Sequence, residues 1–257
     1  MLIQKYFMEL GNSLLDFVFP AHCLLCSVYL PSEKTVENIE ESYPSNLVCL
    51  DCWKSLNILP YPFCPMCRSY FRWPADNPGR TWRCPKCKGS SLALNRSLGL
   101  FDTQYQTLIH NFKYRRKTNL GRELGKRLGK ILKKEDFLKE VDYIIPVPLN
   151  PTRKRERGYN QSKILAEEIS RISSLPILDG LLLRKRSTKD QTNLSPDERD
   201  RNVKGAFSTR DNYSIRRKNI LLVDDVMTTG ATLRECSRVL KQAGARMIIG
   251  TTIAAVN

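Results

Sequence analysis

The residues with the sharpest chemical pattern run from Leu221 to Leu233, LLVDDVMTTGATL, where an apolar stretch ends in the adjacent acids Asp224 and Asp225 and a Thr/Gly-rich loop follows. A strand that carries two acids to its end, followed by a loop that opens a helix, brings carboxylates and a row of backbone N–H groups to one place. The helix N-terminus binds phosphate through those N–H groups and its dipole, and the hydroxyls of Thr228, Thr229 and Thr232 add donors around Gly230 and Ala231. Carboxylates beside a phosphate repel it unless they meet something else. Ribose hydroxyls, which donate hydrogen bonds to carboxylates, answer that need, so a sugar phosphate is the ligand this chemistry predicts. An ordinary strand-turn-helix would leave the paired acids and the three threonines unexplained.

A second constellation is made of cysteines. Eight of the nine fall in Cys-x-x-Cys pairs, Cys23/Cys26, Cys49/Cys52, Cys64/Cys67 and Cys84/Cys87. Each pair offers two thiolates from a tight turn, and two pairs complete a closed tetrahedral site of structural type, so four pairs predict two zinc sites. The gaps suit two consecutive ribbons, while spacing alone leaves an interleaved pairing open. A redox Cys-x-x-Cys of thioredoxin type needs a pair at a helix start after a strand, which four pairs in a Pro-rich stretch oppose. Cys236 stands alone in a helical pattern and reads as a small buried apolar residue. This cysteine usage points to a reducing compartment.

The elements that must position these groups divide the 257 residues into three parts. Residues 1–20 form an apolar-sided helix over 2–18, read as packing on the protein rather than as a membrane anchor because its polar face carries few basic residues. Residues 21–95, rich in Cys, Pro and aromatics, form a metal-stapled module. From 96 to 257 helical and apolar segments alternate, which predicts an α/β domain with a parallel sheet flanked by helices. Strands are expected near Leu98–Phe101, Tyr143–Val147, Leu181–Leu183, Asn219–Val223 and Arg246–Ala254. Helices are expected near Gln104–Tyr114, Leu120–Lys133, Gln161–Ser173, Pro196–Asn202 and Thr232–Ala243. The charged segment Arg184–Asp200 reads as a mobile loop with a short helix. No stretch approaches the ~20 apolar residues that cross a bilayer, and residues 1–20 lack the cleavage pattern of a signal peptide.

The formal charge is +16. Residues 1–95 hold nine basic and eight acidic residues, which leaves +15 for 96–257. Polyanionic partners, nucleic acid or phosphate esters, are therefore expected to meet the second part. Ligands of open parallel sheets sit at the carboxyl ends of strands, so the loop after Tyr143–Val147, PVPLNPTRKRERGYNQ, should face the same crevice as Asp224. Its Arg153, Lys154, Arg155 and Arg157 suit pyrophosphate or a nucleic-acid backbone. An ATP-driven motor is excluded, because GRELGKR at 121–127 has neither the spacing nor the Ser/Thr of a P-loop.

The 221–233 stretch resembles the phosphoribosyl pyrophosphate (PRPP) motif of type I phosphoribosyltransferases. With the four Cys pairs, IHNFKYR (109–115), RGYNQ (157–161) and the spaced residues Gln191, Leu194, Arg199 and Asn202, nearly the whole chain resembles the ComF family, of ComFC or GntX type. That resemblance implies a type I phosphoribosyltransferase-like fold behind a double zinc ribbon. It implies that Asp224 and Asp225 hold the ribose hydroxyls, that Thr228, Thr229, Gly230, Ala231 and Thr232 cradle the 5′-phosphate, and that Mg²⁺ accompanies PRPP. Lys113 and Arg157 are the residues assigned to the leaving pyrophosphate. It further implies a cytoplasmic protein at the inner face of the cell membrane. There it would serve natural transformation, contacting single-stranded DNA beside a helicase-like uptake ATPase and the inner-membrane uptake machinery. The alternative is an active enzyme that moves phosphoribosyl from PRPP to a nucleobase or amine in nucleotide salvage. Tyr159 departs from the family's more frequent Phe, and Pro31–Asn46 is an insert in the first ribbon.

Overall fold

The computed structural model describes residues 21–30, 47–56, 64, 87, 90–186, 195–210 and 214–256. The helix expected over 2–18, the insert 31–46, Cys67, Cys84, Gln191 and Leu194 lie outside the described residues. The chain forms two compact units, Met1–Leu56 and Asn57–Asn257.

In the first unit the described part is a tight hairpin and one short helix. His22 bridges Tyr29 in antiparallel fashion, and Ser27, at φ 61°, turns the chain between Cys23 and Val28. Helix α1, Leu50–Ser55, is opened by Cys49 as its N-cap, with Asp51 in the first turn and Lys54 in the last, both favourable to the helix dipole. The helix buries Trp53, and Leu30, Val48 and Leu56 are buried beside it in the described part of this unit.

The second unit is built on a parallel sheet. Its strands are β1 (Leu94–Leu100), β2 (Tyr143–Pro146), β5 (Asn219–Val223), the short β6 (Val226–Met227) and β7 (Met247–Ala255), in the order β1-β7-β5-β2 with β6 on β7. A separate antiparallel pair joins β3 (Leu182–Arg184) to β4 (Phe207–Thr209). Every residue of β5 is buried, and after Asn219 it is a continuous apolar run, as expected of a parallel strand covered on both faces. The helices are α2 (Thr103–Tyr114), α3 (Thr118–Leu132), α4 (Pro151–Arg157), α5 (Gln161–Ser173), α6 (Pro196–Val203) and α7 (Ala231–Gln242).

Helix α3 shows how closely these layers approach. Leu120, Leu124, Leu128 and Leu132 recur every fourth residue and are fully buried. Gly121, Gly125 and Gly129 follow one position later. A Cβ on Gly125 would lie 2.9 Å from the Cβ of Glu168 on α5, and one on Gly121 would lie 2.2 Å from the Phe112 ring. Glycine at 121 therefore sets where the end of α2, with Lys113 and Tyr114, can sit.

Two expectations are corrected and a third holds. The strand placed at Leu98–Phe101 begins at Leu94, because its first half is held by polar side chains paired inside the sheet. Asn95 donates to Ser97 Oγ at 2.9 Å, Ser97 and Thr252 hydroxyls lie 2.7 Å apart, and Thr251 Oγ1 donates to the Arg96 carbonyl at 2.7 Å. The basic stretch after β2 is a helix, α4, rather than an open loop, capped by Asn150 and closed by Gly158 at φ 82°. The segment after Arg184 holds the expected short helix, α6, whose Ser195 and Glu198 form a capping box.

Candidate functional site

In the first unit the Sγ atoms of Cys23, Cys26, Cys49 and Cys52 all lie within 4.8 Å of one another, with Cys26 and Cys49 at 3.6 Å. Tetrahedral Zn–S bonds of ~2.3 Å separate sulfurs by about 3.8 Å, so the four thiols fit one zinc ion. The backbone N–H groups of Cys49 and Leu25 point at Cys23 Sγ (3.3 and 3.5 Å), and Cys52 N–H points at Cys49 Sγ (3.4 Å). Donors aimed at sulfur stabilise thiolates. Burial raises the Cys23 thiol, but these N–H groups outweigh it and bring its pKa to about 6. Burial and the neighbouring thiols push Cys52 far up, the self-repulsion that a divalent cation removes. The pairing is thus consecutive for this site. Cys49 and Cys52 do stand at a helix start, yet two further thiols beside them make a metal cluster and not a dithiol. Cys64 and Cys87 are buried in the second unit.

The second unit brings the acids and the basic loop together. Pro146 of β2 pairs with Val223 of β5, and Val147 N donates to the Val223 carbonyl at 2.9 Å, so the chain leaves β2 beside Asp224. Asp224 N is held by the Thr251 carbonyl at 3.0 Å, and Asp225 O accepts from Ile253 N at 2.9 Å. β7 thereby fixes the acidic pair from one side.

The two acids are held differently. Asp224 Oδ1 accepts from Ser162 Oγ (3.1 Å) and from Asp225 N (2.9 Å). It keeps an exposed edge but sits deep among protein atoms. That burial first, and the neighbouring charge of Asp225 second, push its carboxyl up to about 7. Asp225 Oδ1 is 2.9 Å from Lys113 Nζ, a half-buried ion pair between β5 and the end of α2. Ser162 was not singled out in the sequence. It lies in the first turn of α5, just after the N-cap Asn160, whose side chain donates to the Val147 carbonyl at 3.0 Å.

The Thr/Gly loop enters α7 through Gly230, which is buried, has φ 76° and serves as the N-cap with no side chain to cap the helix. In that first turn Ala231 N makes a long 3.3 Å bond to Thr229 Oγ1. Thr228, Thr229 and Thr232 are half-buried around it.

Lys113 also lines a cavity of about 220 Å³ with Tyr114, Arg116, Arg153, Glu156 and Arg157. Four cations against one carboxylate give its lining a net positive charge, and Lys113 joins it to Asp225. Arg157 lies over the Tyr114 ring, 4.9 Å from its centroid, and donates to Gln161 Oε1 at 3.2 Å. Tyr114 is 55% exposed, and its ring also meets that of His110, with centroids 5.1 Å apart. Phe112 is fully buried and stacks on Tyr159, with centroids 5.9 Å apart. The Tyr159 hydroxyl donates to the Phe112 carbonyl, a bond that a Phe at this position would lack.

A phosphoribosyl transferase domain family matches residues 157–257, the segment that holds α5, the acidic pair and the Thr/Gly loop. Competence protein F of Haemophilus influenzae is 32% identical over 211 residues, covering 79% of this chain and 88% of that protein. The chain belongs to the ComF family. Its second unit has the type I phosphoribosyltransferase-like fold of that family, a parallel sheet with flanking helices, and its first unit carries the cysteine cluster of a zinc ribbon. Within the ComF family, competence protein ComFC of Bacillus subtilis is 28% identical over 227 residues, 86% of this chain and 89% of that protein. DNA utilization protein YhgH of Shigella flexneri is 34% identical over 144 residues, 55% of this chain and 63% of that protein. Among the described residues no helix is long and apolar enough to cross a membrane.

Proposed function

We propose that this ComF-family protein binds PRPP at the carboxyl end of β5 and supports the uptake or use of DNA in natural transformation, handling single-stranded DNA on its basic face. The observation that carries the reading is the bridge made by Lys113, whose amine bonds Asp225 and lines the cationic cavity. In this reading Asp224 and Asp225 accept the ribose hydroxyls and the loop Thr228–Thr232 takes the 5′-phosphate. Lys113, Arg116, Arg153 and Arg157 meet the pyrophosphate. Mg²⁺, when bound with PRPP, would offset charge on the pyrophosphate oxygens; this chain's share is to supply the cations around them. The relatives' names, competence proteins and DNA utilization proteins, support the cellular role.

Single-stranded DNA is the partner supported by the excess of basic residues in the second unit and by exposed Tyr114 beside Arg116, Arg153 and Arg157, since bases stack on aromatics while cations track the backbone. In this reading the protein works on the cytoplasmic side of the inner membrane, next to the uptake machinery, and a separate helicase-like ATPase supplies the energy. The zinc ribbon is structural.

One observation favours a second reading, an active phosphoribosyltransferase. A carboxyl whose pKa lies near 7, as for Asp224, is in the range of a working general base. In that case pyrophosphate is released only when an acceptor base or amine is present.

The test is a titration of PRPP with Mg²⁺ into the zinc-loaded protein and into Asp224→Asn/Asp225→Asn. Binding by the wild type that falls at least tenfold in the double variant supports the pocket. A folded wild type that binds no PRPP overturns it. Pyrophosphate release on adding nucleobases or amines separates the enzyme from the binding protein.

A further inference from the structure

Arg234 occupies the first turn of α7, where a cation opposes the helix dipole. Two of its guanidinium nitrogens are engaged. Nη1 donates to the Thr229 carbonyl at 2.5 Å, and Nη2 donates to Asp200 Oδ1 on α6 at 2.6 Å. It also lies along Gly230, since a Cβ there would be 3.2 Å from Nη1. One side chain therefore grips the backbone of the phosphate loop and is neutralised by an acid from another helix.

Helix α6, which carries Asp200, is held in place from two sides. Gly205 N, just beyond α6, donates to Glu235 Oε1 at 2.8 Å, and Glu235 is itself paired with Arg238. Arg186 Nη2 donates to the carbonyls of Asn202 and Lys204, both at 3.0 Å. Those contacts fasten α6 without Asp200, so the carboxylate is not needed to dock the helix. Its remaining effect is its charge, placed next to a side chain that grips the loop proposed to take the phosphate.

We propose that Arg234 is a positioning residue for the 5′-phosphate and that Asp200 is its counter-charge, so that the pair tunes affinity for phosphorylated ribose in opposite directions. This rests on the sugar-phosphate reading of the site. Arg234 holds the Thr229 carbonyl and so fixes the course of the loop that meets the ligand, and its positive charge favours the incoming dianion. Asp200 cancels part of that charge. A chain in which the acid is neutral binds the phosphate more tightly, and a chain in which the arginine is neutral binds it less well.

The experiment is calorimetric titration of ribose 5-phosphate into the full-length zinc-loaded protein, for wild type, Arg234→Gln, Arg234→Lys and Asp200→Asn, each checked by thermal melting. Arg234→Gln should weaken binding by about tenfold, having lost both a charge-assisted bond and a charge. Arg234→Lys should recover part of this. Asp200→Asn should tighten binding by about two- to fivefold, the usual effect of one charge at a helix end, and that gain should vanish at ~1 M salt. Weaker binding in both Arg234→Gln and Asp200→Asn would make the pair a strut and overturn the proposal, as would a salt-independent change or none. If wild type binds neither ribose 5-phosphate nor PRPP, the sugar-phosphate reading fails first. If wild type binds and the variants do not diverge, only the present inference fails.

Discussion

The thiol cluster and the acidic pair solve the same problem, holding like charges together, by opposite means. At the cluster four sulfurs within 4.8 Å sit on a hairpin and a six-residue helix, with Leu30, Val48, Trp53 and Leu56 the large apolar side chains buried among the described residues of that unit. At β5 two carboxylates sit at the end of a fully buried strand, tied to Ser162, Lys113 and the backbone of β7. The first arrangement is one that a bound cation is expected to order. The second is preorganised by the sheet, and its ligand is expected to bind with little rearrangement.

The largest effect should therefore come from removing metal. Chelation, or Cys52→Ser, should unfold the first unit, because structural zinc contributes on the order of 10 kcal/mol to such small sites. In a zinc-release assay with far-UV dichroism, wild type should yield zinc and lose structure together. The parallel sheet should survive, read by a retained high-temperature transition. Loss of both transitions at the same chelator concentration would erase the contrast between the two regions.

A middle-sized effect concerns pH. The Asp224 carboxyl is raised in the folded protein to about 7, by burial and then by Asp225, from an unfolded value near that of a free Asp. The folded state thus holds this proton more tightly. The stability it contributes is complete at low pH, and it is lost as pH rises through the interval up to about 7. Asp224→Asn removes that loss. It should melt a few degrees above wild type at pH 8, with the difference shrinking at pH 5, while sugar-phosphate binding is abolished. A variant less stable than wild type at pH 8 would mean that the bonds from Ser162 and Asp225 N outweigh the burial of charge. The acidic pair would then be a stabilising element, not a strained functional one.

Much of this contrast was legible in the sequence, and the exceptions have physical reasons. Strand β5 and the acids after it stood out because a fully buried parallel strand reads as a near-continuous apolar run. The cysteine spacing announced a metal site, while the consecutive pairing needed the fold. Helix α4 was missed because it buries no residue, so it shows no apolar period; Asn150-Pro151 before it and Gly158 after it were the available signs. The first half of β1 was hidden by Asn95 and Ser97, whose partners lie on each other and on β7. Ser162 and Arg234 could not be read at all. Their roles come from neighbours 62 and 34 residues away, Asp224 and Asp200, that no local pattern records.

The smallest effect tests how far the fold alone positions the second site. Tyr159 stacks on Phe112 and donates its hydroxyl to the Phe112 carbonyl, in the last turn of α2 next to Lys113. That carbonyl belongs to the helix end, where acceptors lack partners within the helix. Tyr159→Phe keeps the stack and removes one hydrogen bond, a net loss of about 1 kcal/mol. The melting temperature should fall by about 2–4 °C. If the sheet and Gly121 already fix α2, affinity for pyrophosphate should stay within about twofold, because Lys113 keeps its place against Asp225. A larger loss of pyrophosphate affinity, with the melting temperature nearly unchanged, would show that this bond, rather than the packing of α2 on α3, aims Lys113 into the cationic cavity. The second region would then share with the thiol cluster a dependence on a single local contact.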